Sequence, residues 1–484
     1  MEKRTKGILR EVVRLRNALQ PVNRLPPEII ALCASFVPCT NPKPIVSLTH
    51  ICRHWRGAII SSTSNWTLIG TKWARLAPLC LERAGVAPLT VTISTPGVRE
   101  RDLADFLRAL FPHTTRISHL SLAMGSSIEG EMDKYPGFFA SMPALTSLEH
   151  YRSEEPAKWF PSNEIPVPPL FQNVSKLTSL RLAQTPLYPT LFNITSLVEL
   201  KFNGCGIHFR KFIGFLESNH SLETIVLELE FFGGSVSTSA ERTVSLPRLR
   251  RLAITCEHSI SARGLLSCLS FPSGVNIEVR ECQVFSCGNL ALFLPRPPTP
   301  IQELLAPITT MKSWVNSGGF HLSGGGGSFT FNFSENPLHY DQELELFATG
   351  TVRQLHIFFD PRSSYVGPGD RRHWPFECLP ALEVLIISGY RQECGPLAPL
   401  AKDPALCPSL NTIALLDYLE TPEAFKGLES MLVERENSTS ARLHRIVIAN
   451  KKRDMPNQIQ SIGRLRELVA RVDTIVGDDL PDLL

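Results

Sequence analysis

Two periodicities divide the chain. Over residues 1–70 apolar side chains recur every three or four positions, the spacing of one helix face. Further on they recur as L-x-x-L-x-L, whose alternation predicts short strands with leucines on the inner face.

In the helical part, Ile8, Val12, Leu15 and Leu19 predict an amphipathic helix over residues 1–20, with Leu9 and Val13 widening its stripe. Lys3, Arg4, Lys6, Arg10, Arg14 and Arg16 outnumber Glu2 and Glu11, and the segment is too short for the three heptads of a coiled coil. Pro21 ends it. A second helix opens in "LPPEII", where a proline at the first helical position costs no hydrogen bond and Glu28 suits the positive end of the helix dipole. Ile29, Ile30, Leu32, Cys33, Phe36 and Val37 give this helix a wide stripe before Pro38 stops it. After "PCTNPKP", a further helix carries Leu48, Ile51, Cys52, Trp55, Ala58 and Ile59 on one side, and Trp66 follows. Two short helices with this much apolar surface cannot bury all of it against each other, which predicts a partner surface.

The strand-like copies are "ISHLSL" at 117, "LTSLEH" at 145, "LTSLRL" at 177, "LVELKF" at 197, "LETIVL" at 222 and "LRRLAI" at 249. After a gap come "VRQLHI" at 352, "LEVLII" at 382, "LNTIAL" at 410 and "LHRIVI" at 443. Within each run, starts lie from 20 (177 to 197) to 33 (410 to 443) residues apart. Several copies follow a proline by two residues, as in "MPALTSL", "LPRLRRL", "LPALEVL" and "CPSLNTI". "FRKFIGFLESNH" suits a helix returning the chain between strands. The pattern lapses over 284–350, a Pro/Gly-rich stretch in which "SGGGGS" reads as a flexible tip before one strand-like run, Phe329-Phe331-Phe333. At the end, Ile459, Ile462, Leu465, Leu468, Val469, Val472 and Ile475 form one stripe, predicting an amphipathic helix that packs over the open end of the late repeats or across their face.

Strand residues facing away from the leucines are polar or charged early, as at Ser121, Glu149, Arg181 and Lys201. They are apolar late, at Phe358, Ile386, Leu416 and Val447. Apolar groups left in water are costly, so these four mark a candidate target site.

Composition narrows the function. The 484 residues exceed one compact core unless the fold grows by repetition, and 49 Lys+Arg against 46 Asp+Glu leave a net charge of +3, too small to indicate nucleic acid. No secretory leader and no apolar run long enough for a bilayer stand out, so no membrane partner is expected. Twelve unpaired-looking cysteines read as reduced thiols of a cytoplasmic or nuclear protein. No H-E-x-x-H, G-x-S-x-G or paired C-x-x-C occurs, and the glycine run lacks the Gly-Lys-Ser/Thr of a phosphate loop. Cys282 with Cys287, Cys256 with His258, and His50 with His54 each fall short of a metal site. No enzyme activity, cofactor or metal is expected.

The helical segment resembles the F-box: Leu25-Pro26, Glu28-Ile29, Cys52-Arg53-His54-Trp55-Arg56 and Trp66 stand in that family's order, with Asn65 in place of its usual leucine. With the repeats behind it, the chain resembles the large fungal F-box-like group with irregular leucine-rich repeats. The resemblance implies docking on the Skp-type adaptor of cullin–RING ubiquitin ligases through Leu25, Pro26, Pro27, Ile29, Ile30, Leu48, Ile51, Cys52 and Trp55, although Trp55 reads equally well as helical core. The expected architecture is α/β: an N-terminal helix (1–20), an all-helical F-box (21–70), a linker with a first irregular repeat (71–116) and leucine-rich repeats (117–283). An irregular insertion (284–350), further repeats (351–450) and the C-terminal helix (451–484) follow. The repeats are expected to form a solenoid of short parallel strands with helices on its convex side, binding an unknown protein target. The alternative is a repeat scaffold outside ubiquitination.

Overall fold

The computed structural model describes residues 2–37, 43–124, 138, 142–152, 174–184, 191, 193–203, 207–229, 232–233, 243–256, 259–281, 293–295, 299–314, 319–332, 347, 349–359, 375–389, 397–403, 405–416, 422–437, 443–450 and 459–476. Among these, no helix is long and apolar enough to cross a membrane. The chain divides into two units, Met1–Ile207 and His208–Leu484, so the boundary falls inside the run of repeats read as 117–283.

In the first unit, α1 (Glu2–Leu19) passes through a tight turn, Pro21–Arg24, to α2 (Pro27–Ser35), α3 (Lys43–Leu48) and α4 (Arg53–Ser61). Pro27 occupies the first turn of α2, as read from the sequence. The single helix expected over Leu48–Ile59 is instead two, because the chain breaks at Thr49–Cys52, with Cys52 extended at φ −158° and ψ 174°. Side chains stabilise the break: Thr49 Oγ1 donates to the Val46 carbonyl at 2.6 Å, and Arg56 Nε donates to the Thr49 carbonyl at 2.9 Å. Helix α2 packs on α4 around Ile30, Ala34, Ala58 and Ile59, and Trp66 closes this small core.

With α5 (Ala77–Ala84) and α6 (Glu100–Leu110) between its first strands, the rest of the unit is a parallel sheet. Strands β1 (Leu68–Gly70), β2 (Leu89–Ser94), β3 (Ile117–Met124), β4 (Ser147–Arg152), β5 (Ser179–Ala183) and β6 (Glu199–Asn203) pair in sequence order. The repeat pattern explains the stacking. In "MPAL" the Leu145 amide closes a turn on the Met142 carbonyl at 3.0 Å, with Pro143 at the position where its fixed φ suits a turn. The next amide, that of Thr146, donates to Ser118 of the preceding repeat at 2.8 Å, and Thr178 does the same to Thr146. Each copy thus fixes the register of the next, and Leu148, Leu180, Leu182 and Leu200 fall on one buried face.

The second unit repeats the scheme. After α7 (Phe209–Ser218) come β7 (Thr224–Leu229), β8 (Arg251–Cys256) and β9 (Asn276–Glu281), separated by α8 (Ser259–Ser267) and all parallel. The turns at Leu246–Leu249, Leu379–Leu382 and Cys407–Leu410 carry the same hydrogen bond as Met142–Leu145.

The stretch expected to be irregular, 284–350, differs most from the sequence reading. Following α9 (Thr299–Leu305), its described part forms β10 (Ile308–Trp314), β11 (Gly319–Gly324) and β12 (Gly327–Asn332). They enter the sheet in reverse: β12 pairs with β9, β11 lies antiparallel between β12 and β10, and β10 receives β13 (Gln354–Phe358). Phe320, Phe329 and Phe331 are fully buried, which supplies the anchoring energy that a short strand needs. The glycines are required by close approach: a Cβ on Gly324 would lie 2.6 Å from the Leu305 carbonyl oxygen, and Gly325 and Gly326 hold φ of 46° and 117°. Phe333 lies outside the described residues.

Parallel order resumes through β14 (Val384–Ser388), β15 (Thr412–Leu416) and β16 (Arg445–Asn450), with α10 (Ala398–Lys402) and α11 (Pro422–Asn437) between them. The C-terminal stripe is not one helix. Helix α12 (Ile459–Leu468) ends, and Arg471–Val476 forms β17, parallel to β16. The β-branched run Val472, Thr474, Ile475, Val476 favours a strand, and the free edge of β16 offers it a ladder. Helix α12 packs on α11, with Leu465 buried, so it extends the repeat scheme instead of crossing the opposite sheet face. Residues 477–484, also expected in that helix, lie outside the described residues.

Candidate functional site

Two surfaces carry the residues singled out by the sequence. The first lies on the helical segment. Asn23 and Leu25 are tied to the start of α4: Cys52 Sγ donates to Asn23 Oδ1 at 3.6 Å, and His54 Nε2 donates to the Leu25 carbonyl at 2.9 Å. These bonds join the Leu-Pro opening to the Cys-Arg-x-Trp-Arg stretch across 29 residues of chain. Pro26 and Pro27 are exposed, while Leu25, Leu48 and Cys52 are half-buried. Ile29 and Ile51 are 41% and 51% exposed.

Ile30 is different: it is completely buried between α2 and its neighbours, so it offers a partner no surface in this conformation. Trp55 is half-buried and its Nε1 is buried without a hydrogen-bond partner among the described residues. It therefore contributes to both packing and surface. Sequence reasoning left Leu32 and Phe36 out of the contact set, although they are 52% and 78% exposed. Their spacing from Ile29, three and seven residues, is the signal that places all three on one helix face. The apolar residues of α1 (Ile8, Leu9, Val12, Val13, Leu15 and Leu19) are likewise exposed.

The second surface is the sheet face of the second unit that points away from the buried leucines. Register aligns Lys312, His356, Ile386, Ala414, Val447 and Asp473 in one row across β10 and β13 to β17. Ile386, Ala414 and Val447 form a buried cluster flanked by Val384, Leu416 and Ile475, all six supplied by strands. The expected exposed apolar stretch is thus partly self-covered: Ile386 and Val447 are buried, while Leu416 and Phe358 remain half-exposed shoulders. Phe358 does not join the cluster; it stacks between Trp314, at 5.8 Å, and His356, at 3.5 Å.

Charge on this face is uneven. Asp473 accepts from Arg445 at 2.7 Å and Arg471 at 2.9 Å, and these hydrogen bonds, Arg445 first, hold its carboxyl below the usual range. Glu278 forms ion pairs with Arg280 at 2.6 Å and Arg251 at 3.5 Å. Burial first, then the Lys312 ammonium, pushes His356 down to about 4, and the same two causes lower His321. Both rings are neutral at pH 7, with His356 Nε2 2.7 Å from Ser388 Oγ and His321 Nδ1 2.7 Å from Thr330 Oγ1.

No group of three metal-ligating side chains converges among the described residues. Cys282, Cys287 and His258, weighed as ligands from the sequence, lie outside them. No protein-family model and no curated protein matches the chain.

Proposed function

We propose that this chain is the non-catalytic substrate-recognition subunit of a Skp–cullin–F-box ubiquitin ligase. Its helical segment is an F-box that docks on the Skp-type adaptor, and its mostly parallel strands are irregular leucine-rich repeats that hold a protein target. One observation carries the reading. The small helical core is already filled by Ile30, Ala34, Ala58, Ile59 and Trp66, yet Ile29, Leu32, Phe36 and Ile51 remain in solvent beside an anchored Leu25-Pro26 opening. So many exposed apolar side chains on so small a unit are the expected mark of a protein partner. The chain's contribution to ubiquitin transfer is positioning, which turns an encounter into a near-intramolecular reaction.

The test is co-purification of the full chain with a Skp-type adaptor. Ile29→Glu and Pro26→Glu abolish capture while leaving thermal unfolding unchanged, since both side chains are exposed. Capture that survives Ile29→Glu, or no capture by the unaltered chain, overturns the assignment and leaves a repeat scaffold outside ubiquitination.

A further inference from the structure

We propose that α1 binds the surface of a membrane containing anionic lipid, lying along it with its apolar stripe among the headgroups. This goes beyond the proposed function: it concerns a helix outside the surface offered to the adaptor, and it needs neither adaptor nor target.

The apolar stripe of α1 is uncovered. Ile8, Leu9, Val12, Val13, Leu15 and Leu19 are each between 47% and 66% exposed, and every side chain from Arg4 to Arg16 is exposed. That much apolar area on one helix is costly in water. The C-terminal end of the helix is nevertheless pinned to the helical segment. Asn23 Nδ2 donates to the Asn17 carbonyl at 2.8 Å, while Asn23 Oδ1 accepts from Cys52 at the start of α4.

The placement of charge says what covers the stripe. At about 100° per residue, Leu15, Ile8, Leu19, Val12, Leu9 and Val13 follow one another around an arc of about 160°. Arg4 borders this arc beside Leu15, Lys6 borders it beside Val13, and Arg16 lies within it toward the C-terminal end. Arg10 and Arg14 take the opposite side, where Arg14 reaches Glu11 at 3.4 Å. In all, α1 carries six cations against two acids.

A second copy of α1 would bring like charges together over fewer than three heptads. A protein groove is filled best by aromatic anchors, and α1 has none. Such a groove would also have to place acids at fixed points on both borders and inside the stripe. An anionic lipid surface meets all of these cations at once. The stems of Arg4, Lys6 and Arg16 lie along the apolar boundary while their charged ends reach the phosphates. The helix is about 27 Å long, enough to lie flat with its whole stripe engaged. No described helix can cross a membrane, and a helix lying in the interface has no need to.

The experiment floats the full chain on density gradients with vesicles of phosphatidylcholine alone, or with about 30 mol % phosphatidylserine as an anionic surface. Aggregates sink, so floated chain is bound chain. Partitioning onto the anionic vesicles is about tenfold or more stronger than onto the neutral ones at low salt, and the advantage shrinks as salt rises. Arg4→Gln and Arg16→Gln each lower it about fivefold, and Leu15→Glu lowers it about tenfold or more. Thermal unfolding of all three is unchanged, since the side chains are exposed. Equal flotation with both vesicles, no flotation, or a Leu15→Glu chain that floats like the parent overturns the proposal. A chain that ignores the vesicles but binds labelled polyglutamate, read by anisotropy, overturns it in favour of an acidic protein partner. Ile29→Glu keeps its flotation while losing adaptor capture, and Leu15→Glu does the reverse, so failure here is distinct from failure of the F-box assignment.

Discussion

Replacing Asn65 by leucine should stabilise the first unit. Asn65 sits in the tight turn Thr63–Trp66, which is held among α2, α4 and α5. It is 9% exposed, and neither Oδ1 nor Nδ2 has a hydrogen-bond partner among the described residues. Its neighbour Trp66 is almost fully buried, donates from Nε1 to the Ile59 carbonyl at 2.9 Å, and lies under the Arg83 guanidinium at 4.3 Å. The turn therefore has no freedom to carry the amide out to water. An unsatisfied buried polar group costs roughly 1–3 kcal/mol. Leucine has the same number of side-chain heavy atoms and the same branch point, so reshaping offsets at most about 1.5 kcal/mol. The net gain is about 1–2 kcal/mol, or roughly 2–8 °C in Tm for a unit of this size. Urea unfolding followed by tryptophan fluorescence should show a higher midpoint at unchanged slope. Asn65→Asp is the counter-variant: burial raises the folded-state pKa of the new carboxyl, so its penalty is absent at low pH and grows as pH rises toward neutral. A lower midpoint for Asn65→Leu, or an Asn65→Asp chain as stable at pH 7 as the parent, would show that the amide is hydrated and refute the reasoning.

Gly325→Ala should cost roughly 3 kcal/mol, about 6–12 °C, because the alanine would need a φ of 46° and its Cβ would meet the Ala306 carbonyl; an unchanged Tm would show that the hairpin is loose. NMR titration should place the His356 midpoint near 4, and Lys312→Gln should raise it. Because a depressed histidine pKa means the unfolded chain binds the proton first, this group's contribution to stability is full above about 6.5 and is lost as pH falls through about 4. Truncation before residue 457 should lower the unfolding temperature and promote aggregation, since it removes β17 and α12 and opens the edge of β16, whose residues 446–449 are all buried. Light scattering during thermal unfolding reads the outcome, and an unaltered, non-aggregating chain counts against it.

Every L-x-x-L-x-L copy read from the sequence is a strand in the structure, because the alternation and the turn before it act within one copy and need no distant partner. The missed strands lack part of that signature. "LTVTIS", β2, has the alternation but no leucine three residues before it, and β9 has Gly274 in that place. Of β10 to β12, only β12 was legible, as the run Phe329-Phe331-Phe333; β11 was hidden by glycines that signify close packing here, not slack, and β10 lacks the leucine spacing. The end of the chain misled because Val472 and Ile475 satisfy a helical stripe as well as a strand, and only the vacant ladder of β16 decides between them. At the helical surface, the exposure of Pro26 and Ile29 was legible because the short helices carry more apolar surface than they can bury against each other. The burial of Ile30 was not, since adjacent isoleucines look alike until α2 is rotated against α4. Lys312 was invisible because its neighbours depend on three strands entering the sheet in reverse.

The two sheet faces differ less in how much charge they hold than in whether that charge is already answered. In the first unit, Glu149 reaches Arg181 at 3.7 Å and Ser121 at 3.3 Å, while Lys201 reaches Glu199 at 2.6 Å. These pairs are substantially hydrated, so a ligand would have to break them for little return. In the second unit the apolar row is also largely answered, since Ile386, Ala414 and Val447 bury one another. Lys312, exposed on the same row, is the exception, with no ion pair or hydrogen bond among the described residues.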